Sequence, residues 1–297
     1  MLGKIISGKE TARDIYTEIE KEVGVLKSRG ITPGLAVVLV GEDAASQVYV
    51  AMKDKAAKSL SIDSKQLSLP GDTTSEELEG VIAGLNADPK IHGILIQLPL
   101  PKHIDEKNVL ACIDPNKDVD GFHPLNVGGL SLASVDAVAP CTPAGVIELL
   151  VRNGFDPEGK HVVVVGRSNI VGRPLATLLT GQGRGGNATV TIAHSRSEDL
   201  PSITKTADIL ISAVGRANLI TRSMVREGAI VIDVGVNRLA DDSTPKGYKL
   251  VGDVAFEEVS EVAAAITPVP GGVGPMTIAM LLKNTAQLAT RFSENKV

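Results

Sequence analysis

Residues His161–Val165 read HVVVV, and the next seven, Gly166–Gly172, read GRSNIVG before a helical apolar pattern begins. A short valine run of this kind is the mark of a strand buried on both faces of a parallel sheet. A strand that ends in a glycine turn and passes into a helix offers free amides and the positive end of a helix dipole, which suit a pyrophosphate. Gly166 permits the tight turn and Gly172 permits close helix–strand packing. The G-x-G-x-x-G spacing is not matched, because Ser168 stands where the second glycine belongs. The segment therefore has two readings, a dinucleotide loop contacted through Gly166, Arg167 and Ser168, or an ordinary strand–helix turn.

Working outward, a helix is expected over residues 171–179, with strands over 189–193, 209–214 and 230–234. This rhythm predicts a doubly wound, Rossmann-type domain over residues 142–275. The end of the strand after the glycine turn selects the cofactor. NAD sites place an acid there for the ribose hydroxyl, whereas this chain offers His194, Ser195 and Arg196. A hydroxyl and a guanidinium suit a 2′-phosphate, so NADP is expected, with Arg167 able to join; Arg196 alone also reads as a solvated loop charge. The segment Gly154–His161 comes within one residue of a P-loop. It lacks the Ser/Thr and precedes a strand, so it reads as a helix stop and turn.

Residues 1–141 show an earlier alternation. Helices are expected over 8–29, 46–60 and 75–85, the first with Ile15, Ile19, Val23 and Leu26 at helical spacing. Strands are expected at GLAVVLV (34–40), 64–69 and IHGILIQL (91–98). Residues 114–140 read as loop, and Thr142-Pro143 opens a helix. The fold class is α/β with two domains, a substrate domain and a dinucleotide domain, and a last helix (276–297) packing back on the first. Tyr49 and Lys53 are four residues apart on one helix face. Gln97 and Leu98 lie at a strand end, where parallel sheets place ligands. Buried, Lys53 is an acid/base candidate; the spacing equally fits an amphipathic helix with a solvated lysine. Asp118 and Asp120 in DPNKDVDGF hint at calcium, but no register of the loop supplies both the required Gly and the required Glu. No metal is expected, and Asp120 reads as a ligand acceptor or a turn residue. The loop ITPVPGGVGPMT (266–277) is rigid at its prolines and permissive at its glycines, which favours a ligand-facing role.

Composition narrows the classes. With 43% hydrophobic residues over 297, packed cores are available; with 2% aromatics and net charge -5, neither an aromatic stacking surface nor a nucleic-acid partner is expected. Cys112 and Cys141 form no metal-knuckle spacing and read as reduced thiols of a cytoplasmic protein. No stretch is apolar enough for a membrane span.

Five stretches in order resemble one family: YVAMKDK (49–55), HGILIQLPLP (92–101), KDVDGF (117–122), GRSNIVGRP (166–174) and ITPVPGGVGPMT (266–277). The family is the bifunctional methylenetetrahydrofolate dehydrogenase/methenyltetrahydrofolate cyclohydrolases. The resemblance implies oxidation of 5,10-methylenetetrahydrofolate by NADP, then hydrolysis to 10-formyltetrahydrofolate, in a homodimer of two-domain chains with a cleft between the domains. It implies that Lys53 is the acid/base of hydrolysis, positioned by Gln97. Tyr49 would lie against the folate ring and Asp120 would accept from the pterin edge. Gly166, Arg167, Ser168 and Ser195 would contact NADP, with Arg196 beside them and Val236 at the nicotinamide end. Leu98, Pro268, Gly271 and Gly272 would line the folate side. The Gly-rich link GQGRGGNA (181–188) departs from the compact pattern. Two competing readings are another NADP dehydrogenase, such as a shikimate dehydrogenase-like enzyme, and a regulatory module keeping only the dinucleotide domain.

Overall fold

The computed structural model describes residues 2–244 and 247–294; the last three residues of the expected 276–297 helix lie outside these. The chain runs β1 (Lys4–Ile5), α1 (Gly8–Ser28), β2 (Gly34–Val40), α2 (Ala44–Ser59), β3 (Asp63–Leu69), α3 (Ser75–Ala87), β4 (Gly93–Ile96), α4 (Glu106–Ala111), α5 (Pro124–Ser131) and α6 (Cys141–Arg152). It continues through β5 (His161–Val165), α7 (Gly172–Thr180), β6 (Thr189–Ala193), α8 (Leu200–Thr204), β7 (Ile209–Ser212) and β8 (Ile230–Asp233). The last elements are β9 (Asn237–Ala240), β10 (Tyr248–Val251), α9 (Phe256–Ser260), β11 (Ala265–Ile266) and α10 (Val273–Glu294). Two compact units result. One joins the residues up to Arg13 to Thr142–Thr277; the other joins Asp14–Cys141 to the chain from Ile278 on.

In the second of these units the parallel sheet has order β3-β2-β4. All seven residues of β2 are buried, as its unbroken apolar run demands, while polar β3 (DSKQLSL) is the half-exposed edge. Ile15, Ile19, Val23 and Leu26 on α1 are all buried. Thr74 and Glu77 form a capping box that starts α3. The other end of α3 is closed by Lys117, whose buried ammonium donates to the carbonyls of Leu85, Asn86 and Asp88 at 3.2, 2.7 and 2.8 Å. A cation on those carbonyls satisfies the helix C-terminus and its dipole. Residues 114–140 are thus more structured than a loop. Asp118 accepts from His123 N and Asn126 Nδ2 at 2.8 and 2.9 Å, and α5 forms despite its two adjacent glycines.

α10 starts at Val273, three residues before the expected start, and its greater part belongs to this same unit. Asn284 Nδ2 donates to the carbonyls of Val119 and Ala139 at 2.8 and 3.1 Å. Asn284→Ala removes the amide from the Ala139 carbonyl and leaves the Val119 carbonyl only the weaker Cys141 thiol. We expect a loss of about 2 kcal/mol, measured as a fall in the urea midpoint at unchanged slope.

The other unit holds a six-stranded parallel sheet of order β1-β11-β8-β7-β5-β6. Counted from β5, five strands follow the 2-1-3-4-5 doubly wound order and not 3-2-1-4-5-6. β1, from the start of the chain, adds the sixth strand beside β11. The N-terminal residues therefore group with the dinucleotide-type unit, although the sequence reading put residues 1–141 together. Two-residue strands carry no periodicity, so β1 and β11 left no signal. The helix read from Thr142 begins at Cys141, and Thr142 Oγ1 meets Thr277 Oγ1 at 3.0 Å. The Gly-rich link docks on α6. Arg184 forks onto both carboxylate oxygens of Glu148 at 2.9 and 3.2 Å, and at Gly185 (φ +76°) a Cβ would lie 2.4 Å from Ile147 Cγ2.

Candidate active site

Both sheets change winding direction, between β2 and β4 in one and between β5 and β7 in the other. Ligands bind outside the carboxyl ends of strands at such switch points.

At the first switch point, Gln97 follows β4, and its amide N–H donates to Val38 O of β2 at 2.8 Å. Its side-chain oxygen receives Lys53 Nζ at 2.9 Å, and its Nε2 donates to Leu98 O at 2.7 Å. The Gln97 amide group is therefore fixed at both ends, with the oxygen presented to the lysine. Lys53 is only 8% exposed, which excludes the solvated-lysine reading. Burial lowers its pKa below the ordinary 10.5, and the Asp120 charge works in the opposite direction. Asp120 is half-buried; desolvation raises its carboxyl and the Lys53 charge lowers it. Cys141, buried with its thiol donating to Val119 O at 3.3 Å, adjoins this pair. Burial and the Asp120 charge push that thiol well above its ordinary range. Tyr49, one turn before Lys53, is 40% exposed, and Val48 and Met52 are exposed nearby on the same helix. A large ring exposed one turn from a buried amine suits a flat ligand better than core packing. The Leu98–Pro99 peptide is cis.

At the second switch point, Gly166 has φ +129°, and a Cβ there would lie 2.3 Å from Ala213 O, just past β7. At Gly172 a Cβ would lie 2.2 Å from Gly166 O. These contacts bring backbone close against backbone at the start of α7, whose N-cap residue, Val171, has no capping side chain of its own. Ser168 Oγ accepts from the amides of Val171 and Gly172 at 3.1 and 3.4 Å, so it shapes the turn from within. Arg167 is exposed. Past β6 a tight turn is closed by His194 N donating to Ser197 Oγ (3.0 Å) and Arg196 N to His194 Nδ1 (3.2 Å). It leaves Ser195 and Arg196 exposed. The nearby Asp199 is occupied as N-cap of α8. The glycine turn and its cationic rim fit a phosphorylated dinucleotide. Val236, after β8, is 47% exposed. Pro268, Gly271 and Gly272 lie in the same unit between β11 and α10; Gly8 N donates to Gly271 O at 2.9 Å, and the Val269–Pro270 peptide is cis.

The sequence reading missed a pair of buried carboxylates, Asp233 and Asp253, at the ends of β8 and β10. Asp233 accepts from the amides of Gly235, Asp253 and Val254 at 2.9 to 3.0 Å. Burial, together with the Asp253 charge, still pushes it up to about 7.

A doubly wound nucleotide unit in one chain with a buried lysine site at a second switch point defines a class, the two-domain nicotinamide-dependent dehydrogenases. Residues 6–120 match the tetrahydrofolate dehydrogenase/cyclohydrolase catalytic domain, and residues 140–293 match the NAD(P)-binding domain of the same family. The chain belongs to the tetrahydrofolate dehydrogenase/cyclohydrolase family. It is 55% identical to the bifunctional protein FolD of Prosthecochloris aestuarii, over 97% of this chain and 98% of that one. A crystal structure of the bifunctional FolD of Campylobacter jejuni is 48% identical, covers 99% of both chains and has a TM-score of 0.91. The FolD of Trypanosoma brucei, solved with NADP cofactor and inhibitor, is 42% identical over 98% of both chains, with a TM-score of 0.92. A shikimate dehydrogenase of Thermus thermophilus shares the fold alone, at 16% identity and a TM-score of 0.52. Among the described residues no helix is long and apolar enough to cross a membrane.

Proposed function

We propose that the chain oxidises 5,10-methylenetetrahydrofolate with NADP and then hydrolyses the methenyl product to 10-formyltetrahydrofolate, with Lys53 moving the protons of the second step. The observation that carries this reading is the buried Lys53 amine held at 2.9 Å by Gln97. Bound NADP supplies the hydride acceptor. The carbon that loses hydride lies between two nitrogens, so the folate stabilises its own cation and the chain has mainly to align the partners. Tyr49 offers the ring a surface, Asp120 accepts from the pterin edge, and Leu98, Pro268, Gly271 and Gly272 are assigned to the folate.

Hydrolysis places more on the chain. Water adds to the methenyl carbon, and Lys53, poised by burial nearer to neutrality, takes the proton and returns one to the departing ring nitrogen. Gln97 fixes the direction of Nζ throughout. Gly166, Arg167, Ser168, Ser195, Arg196 and Val236 are assigned to NADP, with Ser195 and Arg196 on its 2′-phosphate. The working form is a homodimer in the cytoplasm; the family resemblance supports the first, and two free thiols, Cys112 exposed, support the second.

The test is methylenetetrahydrofolate oxidation followed by NADPH absorbance. The chain should form NADPH, and Arg196→Ala should raise KM for NADP about tenfold or more while leaving that for NAD unchanged. No NADPH from the parent chain would end the proposal; an equal change for both cofactors would remove Arg196 from the 2′-phosphate.

A further inference from the structure

The Asp253 side chain is fully buried, yet among the described residues no side-chain cation pairs with it. Its oxygens are met by five donors. Oδ2 accepts from Val214 N at 2.7 Å, Gly215 N at 3.2 Å and Ser212 Oγ at 3.3 Å. Oδ1 accepts from Arg216 N at 2.8 Å and Asn237 Nδ2 at 3.1 Å. Three consecutive amides pointing at one carboxylate form an anion nest, and here the anion is the chain's own.

The placement of these donors matters. Ser212 ends β7, and Val214–Arg216 form the loop that follows it, immediately after the Ala213 carbonyl that Gly166 packs against. Asn237 begins β9, directly after Val236. One carboxylate therefore ties the wall of the switch-point crevice to the loop that presents Val236. The tie is tight: a Cβ at Gly235 would lie 2.1 Å from Asp253 Oδ1, and one at Gly252 would lie 1.8 Å from Asp233 Oδ2. Asp233 anchors the same knot from the other side by accepting the Asp253 amide.

We propose that Asp253 is a positioning residue for hydride transfer, which sets the loops after β7 and β8 at the nicotinamide end of the dinucleotide. It rests on the reading of this unit as the NADP site. Donors meet both oxygens, so the side chain in this position has to accept at both. Asp253→Asn turns an NH2 group toward one set of N–H donors, so one loop must move.

The test uses the full chain and both half-reactions. Hydrolysis of methenyltetrahydrofolate transfers no hydride and serves as the internal control. Asp253→Asn is expected to raise KM for NADP about tenfold or more and to lower dehydrogenase kcat, with hydrolysis within about twofold of the parent. Asn237→Ala, which frees only the Val236 loop, should give a smaller change of the same sign and would carry the test if Asp253→Asn does not fold. Parallel loss of both activities would mean a purely structural role and overturns the proposal, as does an unchanged KM for NADP in every folded variant. A parent chain that hydrolyses methenyltetrahydrofolate but forms no NADPH overturns the cofactor reading, and this proposal with it.

Discussion

Lys53→Met should lose methenyl hydrolysis by about a hundredfold to ten-thousandfold, the range supplied by one positioned proton-transfer group, while folate binding is retained. Methionine keeps the length and apolar stem of lysine in a site that is already 8% exposed. What disappears is the amine and its hydrogen bond to Gln97. The pH profile gives an independent signature. Because burial lowers the Lys53 pKa, the neutral, proton-accepting amine forms at a lower pH than for an ordinary lysine. The enzymatic hydrolysis rate of the parent should therefore climb with pH along a limb below 10.5, and the variant should lack that limb once uncatalysed hydrolysis is subtracted. Hydride transfer needs no proton at this position, so it should fall less. A variant that hydrolyses methenyltetrahydrofolate at the parental rate would exclude Lys53 from the chemistry.

Gly166→Ala should damage both stability and cofactor binding. A φ of +129° belongs to a region that is essentially glycine's, and forcing alanine there costs roughly 1–3 kcal/mol. The new methyl would also stand 2.3 Å from Ala213 O, so the ends of β5 and β7 must part, at a further cost of about 1–3 kcal/mol. Together these are a large fraction of an ordinary domain's stability, and a fall in melting temperature of about 10 °C is expected. The crevice would open where its walls are closest, so NADP should weaken by about tenfold or more in calorimetric titration. Parental melting and parental NADP affinity in this variant would show that the glycine turn is neither strained nor in use.

Parts of this architecture are plain from the sequence because they are local. The valine run of β5, the apolar run of β2 and the helical spacing of Tyr49 and Lys53 depend only on neighbours within a turn or a strand. Lys53 itself was ambiguous for a physical reason: spacing tells which face a residue takes, but burial depends on Gln97, 44 positions away. The Asp233–Asp253 knot was illegible because most of its partners are backbone amides, which every residue but proline carries. Ser168 was read as a cofactor contact when its hydroxyl also closes its own turn, a competition that spacing does not reveal. Strands β1 and β11 were missed because pairing, and not composition, makes two residues a strand.

The return of α10 has a consequence for how the chain is made. A ribosome releases residues in order, and an N-terminal domain ordinarily folds while the rest is still being synthesised. Here the unit holding Lys53 waits for Asn284, which satisfies the Val119 and Ala139 carbonyls. The nucleotide unit already has its edge strand β1 from the first residues and needs nothing beyond Thr277. The half of the molecule translated first is therefore the half completed last, and nascent chains halted just past Thr277 should present an open core to chaperones while the nucleotide fold is already closed.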